Sequence, residues 1–194
     1  MKSRVALVSG ASRGLGRAIA RELARRGHII AVGYREGADA AQAVVDDIGR
    51  AGGSAFRLQF EVADGLACQQ AAAAVKERCG SLDILVNNAG VVEEAPALAM
   101  DDAAWERVLS VCLTGAFRLA RAAAKYMVLA RWGRIINISS VVARQGGRRR
   151  SGAHFGSDRG FASPPGKGRS HQHPKPQRTQ RKIPGPQRDL PNHR

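Results

Sequence analysis

With 194 residues the chain has room for one ordinary α/β domain, and a net charge of +15 would point to nucleic acid if that charge were evenly spread. It is not: residues 1–146 carry 19 Lys/Arg against 14 Asp/Glu (net +5), while residues 147–194 carry 12 against 2 (net +10) together with seven of the eight prolines. Three isolated cysteines, Cys68, Cys79 and Cys112, exclude a disulfide framework and a Cys/His metal cluster, and no apolar run approaches membrane-spanning length.

The segment "VALVSG" (5–10) is a short continuous apolar run ending in glycine, the form of a strand buried on both faces. Leu15, Ile19 and Leu23 follow at four-residue spacing, which predicts a helix with those residues on its apolar face and Gly27 past its end. "HIIAVGY" (28–34) predicts a second strand and residues 39–52 a second helix ending in glycines. A third strand is expected over 54–62, a helix over 65–79 and a fourth strand over 82–90. From Asp101, a predicted N-cap, one long helix should run to about Ala130, and "RIINIS" (134–139) predicts the fifth strand. Strands alternating with helices at this spacing imply right-handed crossovers and a doubly wound parallel sheet, an α/β fold of Rossmann type. The alternation stops after the fifth strand.

The expected organisation is therefore a nucleotide-binding domain over 1–146, incomplete at its carboxyl end, and a basic Pro/Gly-rich tail over 147–194. The tail has too little apolar surface to offset the ordering of its backbone, and disorder is expected there. Its aromatic residues, Phe155 and Phe161, give little for base stacking, which argues against a nucleic-acid partner. The amino terminus enters a strand without a signal-peptide core, so a soluble cytoplasmic protein is expected.

Chemistry enters at "SGASRGLG" (9–16), on the first strand-to-helix turn. Gly10, Gly14 and Gly16 permit a tight turn and close backbone approach to a pyrophosphate, with Ser12, Arg13 and Leu15 completing the loop. The spacing is GxxxGxG, and glycines alone would be weak evidence. Sites that prefer NAD place a carboxylate at the end of the second strand, to accept from the ribose 2′-hydroxyl. Here that region reads "AVGYREG", with Arg35 first and no acid before Glu36. Arg13 and Arg35 as two cations with no opposing acid predict a 2′-phosphate, hence NADP; the competing reading makes Arg35 a solvated loop charge.

"SGASRGLG", "NNAG" (87–90) and "GRIINISS" (133–140) together resemble the short-chain dehydrogenase/reductase family, and within it most resemble 3-oxoacyl-(acyl-carrier-protein) reductases, over residues 3–146. The resemblance implies that Asn88, Ala89 and Gly90 pack near the cofactor and that Glu61 and Val62, where the family usually has Asp–Val, lie at the adenine. It implies an NADP-dependent reduction of a 3-oxoacyl thioester or similar small-molecule or carrier-bound ketone. It also implies a family sheet of seven strands and a homo-oligomer, which the early end of the pattern puts in doubt for this chain. Four residues perform the family's chemistry: a serine after the fifth strand, a tyrosine about 13 residues on, a lysine four beyond that, and an asparagine in the preceding long helix. The tyrosine needs the lysine, because a phenol with a pKa near 10 is a poor acid–base at neutral pH without an adjacent cation.

The serine maps to Ser140, with Ser139 beside it. The tyrosine's place holds Ala153, the lysine's Ser157 and the asparagine's Cys112. Neither Tyr34 nor Tyr126 is followed by lysine four residues on. Impaired or absent catalysis is the expectation. Composition, periodicity and charge change together near Gly146–Arg148, and the simplest reading is a shift of reading frame. The alternatives are a functional, nucleic-acid-binding tail on a noncatalytic nucleotide-binding or interaction protein, and His154 replacing the tyrosine with an Arg for the lysine.

Overall fold

The computed structural model describes residues 3–93 and 95–140. Five strands form one sheet: β1 (Val5–Val8), β2 (Ile29–Tyr34), β3 (Ser54–Gln59), β4 (Ile84–Asn87) and β5 (Arg134–Asn137). All neighbouring pairs are parallel, and the spatial order is β3-β2-β1-β4-β5, the doubly wound arrangement expected. The frame-shift reading and the expected disorder of 147–194 lie outside the described residues.

The helices are α1 (Gly14–Arg25), α2 (Ala38–Arg50), α3 (Gly65–Cys79), α4 (Asp102–Val108) and α5 (Ala116–Leu129). Alternation along each strand sends side chains to opposite faces. Val5 and Leu7 enter a core shared with α3 and α5, while Ala6 and Val8 enter one shared with α1 and α2. Leu7, Leu85, Ile30 and Ile48 are fully buried, and each side chain of this size contributes about 1.5–3 kcal/mol on leaving water. Both faces of β1, β2 and β4 are covered, so these strands read as continuous apolar runs.

Several expected boundaries move. β2 ends at Tyr34 as expected, but β1, β3, β4 and β5 end earlier, because the residues that follow turn out of the sheet to form the loops at its carboxyl edge. Leu15 is exposed, at 57%, and does not belong to the buried face of α1. That face is Gly16, Ala20 and Ala24. Small residues let the helix lie close to the sheet, with Ile19 and Leu23 packed at its margin. The expected single helix over 101–130 is interrupted: Asp101 caps α4 through Ala104 N–H (2.7 Å), but Leu109–Gly115 is a π-helical stretch before α5 begins. At Gly115 a Cβ would stand 2.8 Å from Val62 O and 3.1 Å from Ser110 O, so the widened turn runs tight against the loop after β3.

β5 is an edge strand among the described residues, and Ile135 and Ile136 are 41% and 44% exposed. None of the described helices is long and apolar enough to cross a membrane, and the described residues contain no group of three His, Cys, Asp or Glu placed to hold a metal ion.

Candidate nucleotide-binding site

Because every strand runs the same way, the loops after β1, β2, β3, β4 and β5 emerge at one edge, and sheet order reverses direction between β1 and β4. Ligands of open α/β sheets bind in the crevice outside such a switch point. A cavity of about 550 Å³ lies there. It is lined by the glycine turn, the ends of β2 and β3, the loop after β4 and Val111 of the π-helical stretch.

The turn after β1 is shaped by its own backbone. Gly10 and Gly14 have φ of +62° and +56°, which L side chains rarely adopt. A Cβ on Gly16 would press on Gly10 O and stand 2.5 Å from Asn88 Nδ2. The reason is a clamp across the sheet. Asn88 Nδ2 donates to Ser9 O (2.9 Å) and Gly10 O (3.0 Å), while the buried Ser9 Oγ accepts from Asn88 N and Ala89 N (both 3.0 Å). Ser9 is a site residue that sequence reading missed. Its only signal was a serine between a buried strand and a glycine turn. Asn88 belongs to the wall, with both amide hydrogens committed to carbonyls.

Asn87 was missed as well. It is buried, and its Nδ2 donates to Ala116 O (3.1 Å) and Asn137 Oδ1 (2.9 Å), fixing β4 to the start of α5 and the end of β5.

Of the twelve cofactor candidates, Gly10, Ser12, Arg13, Leu15, Gly16, Arg35, Glu61, Val62, Asn88, Ala89 and Gly90 line the cavity. Gly14 supplies the turn behind it. Tyr34, Glu36, Gly37, Ala40, Phe60, Val91 and Val111 also line it. Phe60 matters for shape: a Cβ on Gly33 would lie 2.9 Å from its ring, so a glycine in β2 makes room for an aromatic wall.

Two helices begin at this cavity, α1 after Arg13 and α2 after Gly37. Their partly positive amino ends, with free N–H groups, favour an anion between them. The charge pattern differs from the expectation of two unopposed cations. Arg13 has no ion pair among the described residues, but Arg35 has two: Nε lies 3.1 Å from Glu36 Oε1 and Nη1 3.5 Å from Glu61 Oε2. The second acid comes from the end of β3, a neighbour in space and distant in sequence.

Ser140 follows β5 at the same edge of the sheet but does not line the cavity. Cys112 sits in the π-helical stretch behind the loop after β4, its thiol 3.5 Å from Val91 O. The structure thus brings the glycine turn, both arginines and the Asn88–Gly90 loop together. Positions 153 and 157 lie outside the described residues. Chemically, the assembled edge can take an anion at the two helix starts and a flat apolar group against Val62, Phe60 and Val91.

The description "short chain dehydrogenase" belongs to a family model that matches residues 4–152, six residues beyond the end given by the motifs. Among curated proteins, 3-oxoacyl-[acyl-carrier-protein] reductase FabG of Staphylococcus aureus (strain Mu50 / ATCC 700699) is 41% identical over 141 residues, covering 73% of this chain and 57% of its own length. A 3-oxoacyl-[acyl-carrier-protein] reductase of Synechocystis sp. is 39% identical over 146 residues, 75% of this chain and 59% of the relative. A solved double mutant of a Serratia marcescens short-chain dehydrogenase/reductase superposes with a TM-score of 0.75 at 34% identity, covering 81% of this chain and 63% of that one. The chain spans somewhat under three-fifths of the length of these curated relatives.

Proposed function

This chain belongs to the short-chain dehydrogenase family, and from that premise we propose that it binds NADP(H) at the switch-point cavity without completing the reduction of a 3-oxoacyl thioester. The observation that carries the binding half is the convergence of the glycine turn, two helix starts and Arg13 and Arg35 on one cavity. The residues present fit a dinucleotide at its pyrophosphate and adenosine end. Backbone N–H groups around Ser12–Leu15 would hold the pyrophosphate, Arg13 and Arg35 a ribose 2′-phosphate, and Val62 with Phe60 the adenine. The nicotinamide end would meet Gly90 and Val91. When bound, the nicotinamide supplies a hydride.

The catalytic half rests on the sequence. Ser140 can hydrogen-bond a substrate carbonyl, but a ketone receiving hydride also needs a proton for its developing alkoxide. Ala153 and Ser157 stand where the resemblance calls for the tyrosine and lysine, and neither side chain is an acid of the required strength. Cys112, at the asparagine's position, has a thiol directed at Val91 O. Removing a positioned general acid alone costs on the order of 10²–10⁴ in rate. The losses act on one proton path and are not multiplied.

The test uses the full chain. Calorimetric titration should give tighter binding of NADPH than of NADH, and NADPH oxidation with an acetoacetyl thioester should not exceed background. A version carrying Ala153→Tyr and Ser157→Lys reports whether the two positions suffice to restore it. Equal affinities would remove the NADP reading. Turnover by the unmodified chain that disappears on His154→Ala would make histidine the acid and overturn the catalytic one.

A further inference from the structure

We propose that Glu61 is a specificity-determining residue of this cavity: its carboxylate holds Arg35 and opposes a phosphate on the ligand's ribose, so the chain discriminates phosphorylated from unphosphorylated nucleotides less than its two arginines alone would. The inference rests on the NADP(H) reading and adds to it a residue that weakens the preference.

Glu61 is placed for this by its own backbone. Its Oε1 accepts from Ala63 N (3.0 Å), closing a turn after β3, and this leaves Oε2 facing Arg35 Nη1 at 3.5 Å. The turn is itself anchored: Phe60 N donates to Tyr34 O (2.9 Å), and Arg118 of α5 donates to Ala63 O. At the end of β3, Gln59 Nε2 donates to Arg35 O (3.0 Å) beyond β2, so the loops carrying the two charges are tied together. Glu36, the other carboxylate on Arg35, is 79% exposed and accepts no such backbone hydrogen bond among the described residues, whereas the Glu61 side chain is 36% exposed.

The charges at the cavity mouth are Arg13 and Arg35 against Glu36 and Glu61, a formal balance of zero. A ribose phosphate brings nearly two negative charges to this point and must displace or share the Arg35–Glu61 pair. An exposed pair is itself weak, so the pair does not exclude phosphate. Its effect is a charge of the wrong sign a few ångströms from the phosphate, worth on the order of fivefold in affinity for a unit charge at about 4 Å screened as in bulk water.

The experiment uses the full chain and two fragments that occupy only the adenosine end, adenosine 2′,5′-bisphosphate and adenosine 5′-monophosphate. Glu61→Gln keeps an oxygen for Ala63 N–H and removes only the charge. It should tighten the bisphosphate about fivefold while changing the monophosphate by less than about twofold. Arg35→Ala placed on top of Glu61→Gln should abolish the gain. Unchanged bisphosphate affinity, equal tightening of both fragments, or a gain that survives loss of Arg35 would each overturn the proposal. Arg35→Ala alone separates it from the reading beneath: if wild type prefers the bisphosphate and Arg35→Ala loses that preference while Glu61→Gln changes nothing, NADP(H) binding stands and the role of Glu61 falls. If wild type binds neither fragment nor NADPH, both fall together.

Discussion

Ser9 shows how much of the cavity depends on a single hydroxyl. The side chain is buried between β1 and β4, donates to Val86 O (3.3 Å) and accepts from two backbone amides of the following loop. Ser9→Ala would leave Asn88 N–H and Ala89 N–H without their acceptor, and a buried donor stripped of its partner costs about 1–3 kcal/mol. Lower thermal stability is expected, with NADPH affinity falling further than stability alone explains, because the loop lines the cavity. The comparison is Ser3→Ala, whose hydroxyl donates to Gly27 O at an exposed edge and should change little. Equal effects from the two substitutions would remove Ser9 from the site. None of this was legible in the sequence beyond the serine itself, since a partner 79 residues away leaves no local trace.

At the scale of elements, what was legible is what periodicity and end signals encode. β1, β2 and β4 announced themselves as apolar runs, and Asp101 announced the start of α4. Boundaries were read long because residues such as Phe60 and Val62 are buried under loops and look like strand. The π-helical stretch was invisible, since no residue pattern marks it and the close approach of Gly115 to Val62 O joins segments distant in sequence. The Arg35–Glu61 pair was hidden for the same kind of reason: it joins residues 26 apart in sequence, in the loops after two strands adjacent in the sheet. α3, which forms over the expected residues 65–79, offers a test of its packing. Its buried face includes Cys68, whose thiol donates to Val62 O (3.3 Å) and whose pKa is pushed up to about 11, first by burial and then by nearby Asp64. In the unfolded chain the same thiol ionises near 9. Between those values unfolding releases a proton, so stability is retained below about pH 9 and declines as pH rises toward 11. Thermal melts from pH 8 to 11 should show a shallower alkaline decline for Cys68→Ala than for wild type. Parallel curves would mean that the thiol is not held protonated by the fold.

For the whole molecule the governing fact is the division of charge, with 19 cations against 14 anions before residue 147 and 12 against 2 from there on. The first segment has its own sheet, cores and cavity, and it carries all but the last six residues of the family match over 4–152. The second carries a concentration of positive charge that must act on any polyanion whatever its origin. Binding of single-stranded DNA by the full chain should therefore be measurable at low salt and lost quickly as salt rises. The slope of log K on log salt should be no steeper than about −8, the limit if all twelve cations each met a phosphate. If the charge is all that acts, random and structured oligonucleotides of equal length should bind alike, and a chain ending at residue 147 should lose the binding while NADPH affinity stays the same. A preference for one sequence or structure that disappears with residues 148–194 would instead assign that segment a recognition role. Salt-dependent DNA binding retained by the shortened chain would place the polyanion site on the sheet domain itself, where Arg13 is the cation at the cavity mouth that no acid opposes among the described residues.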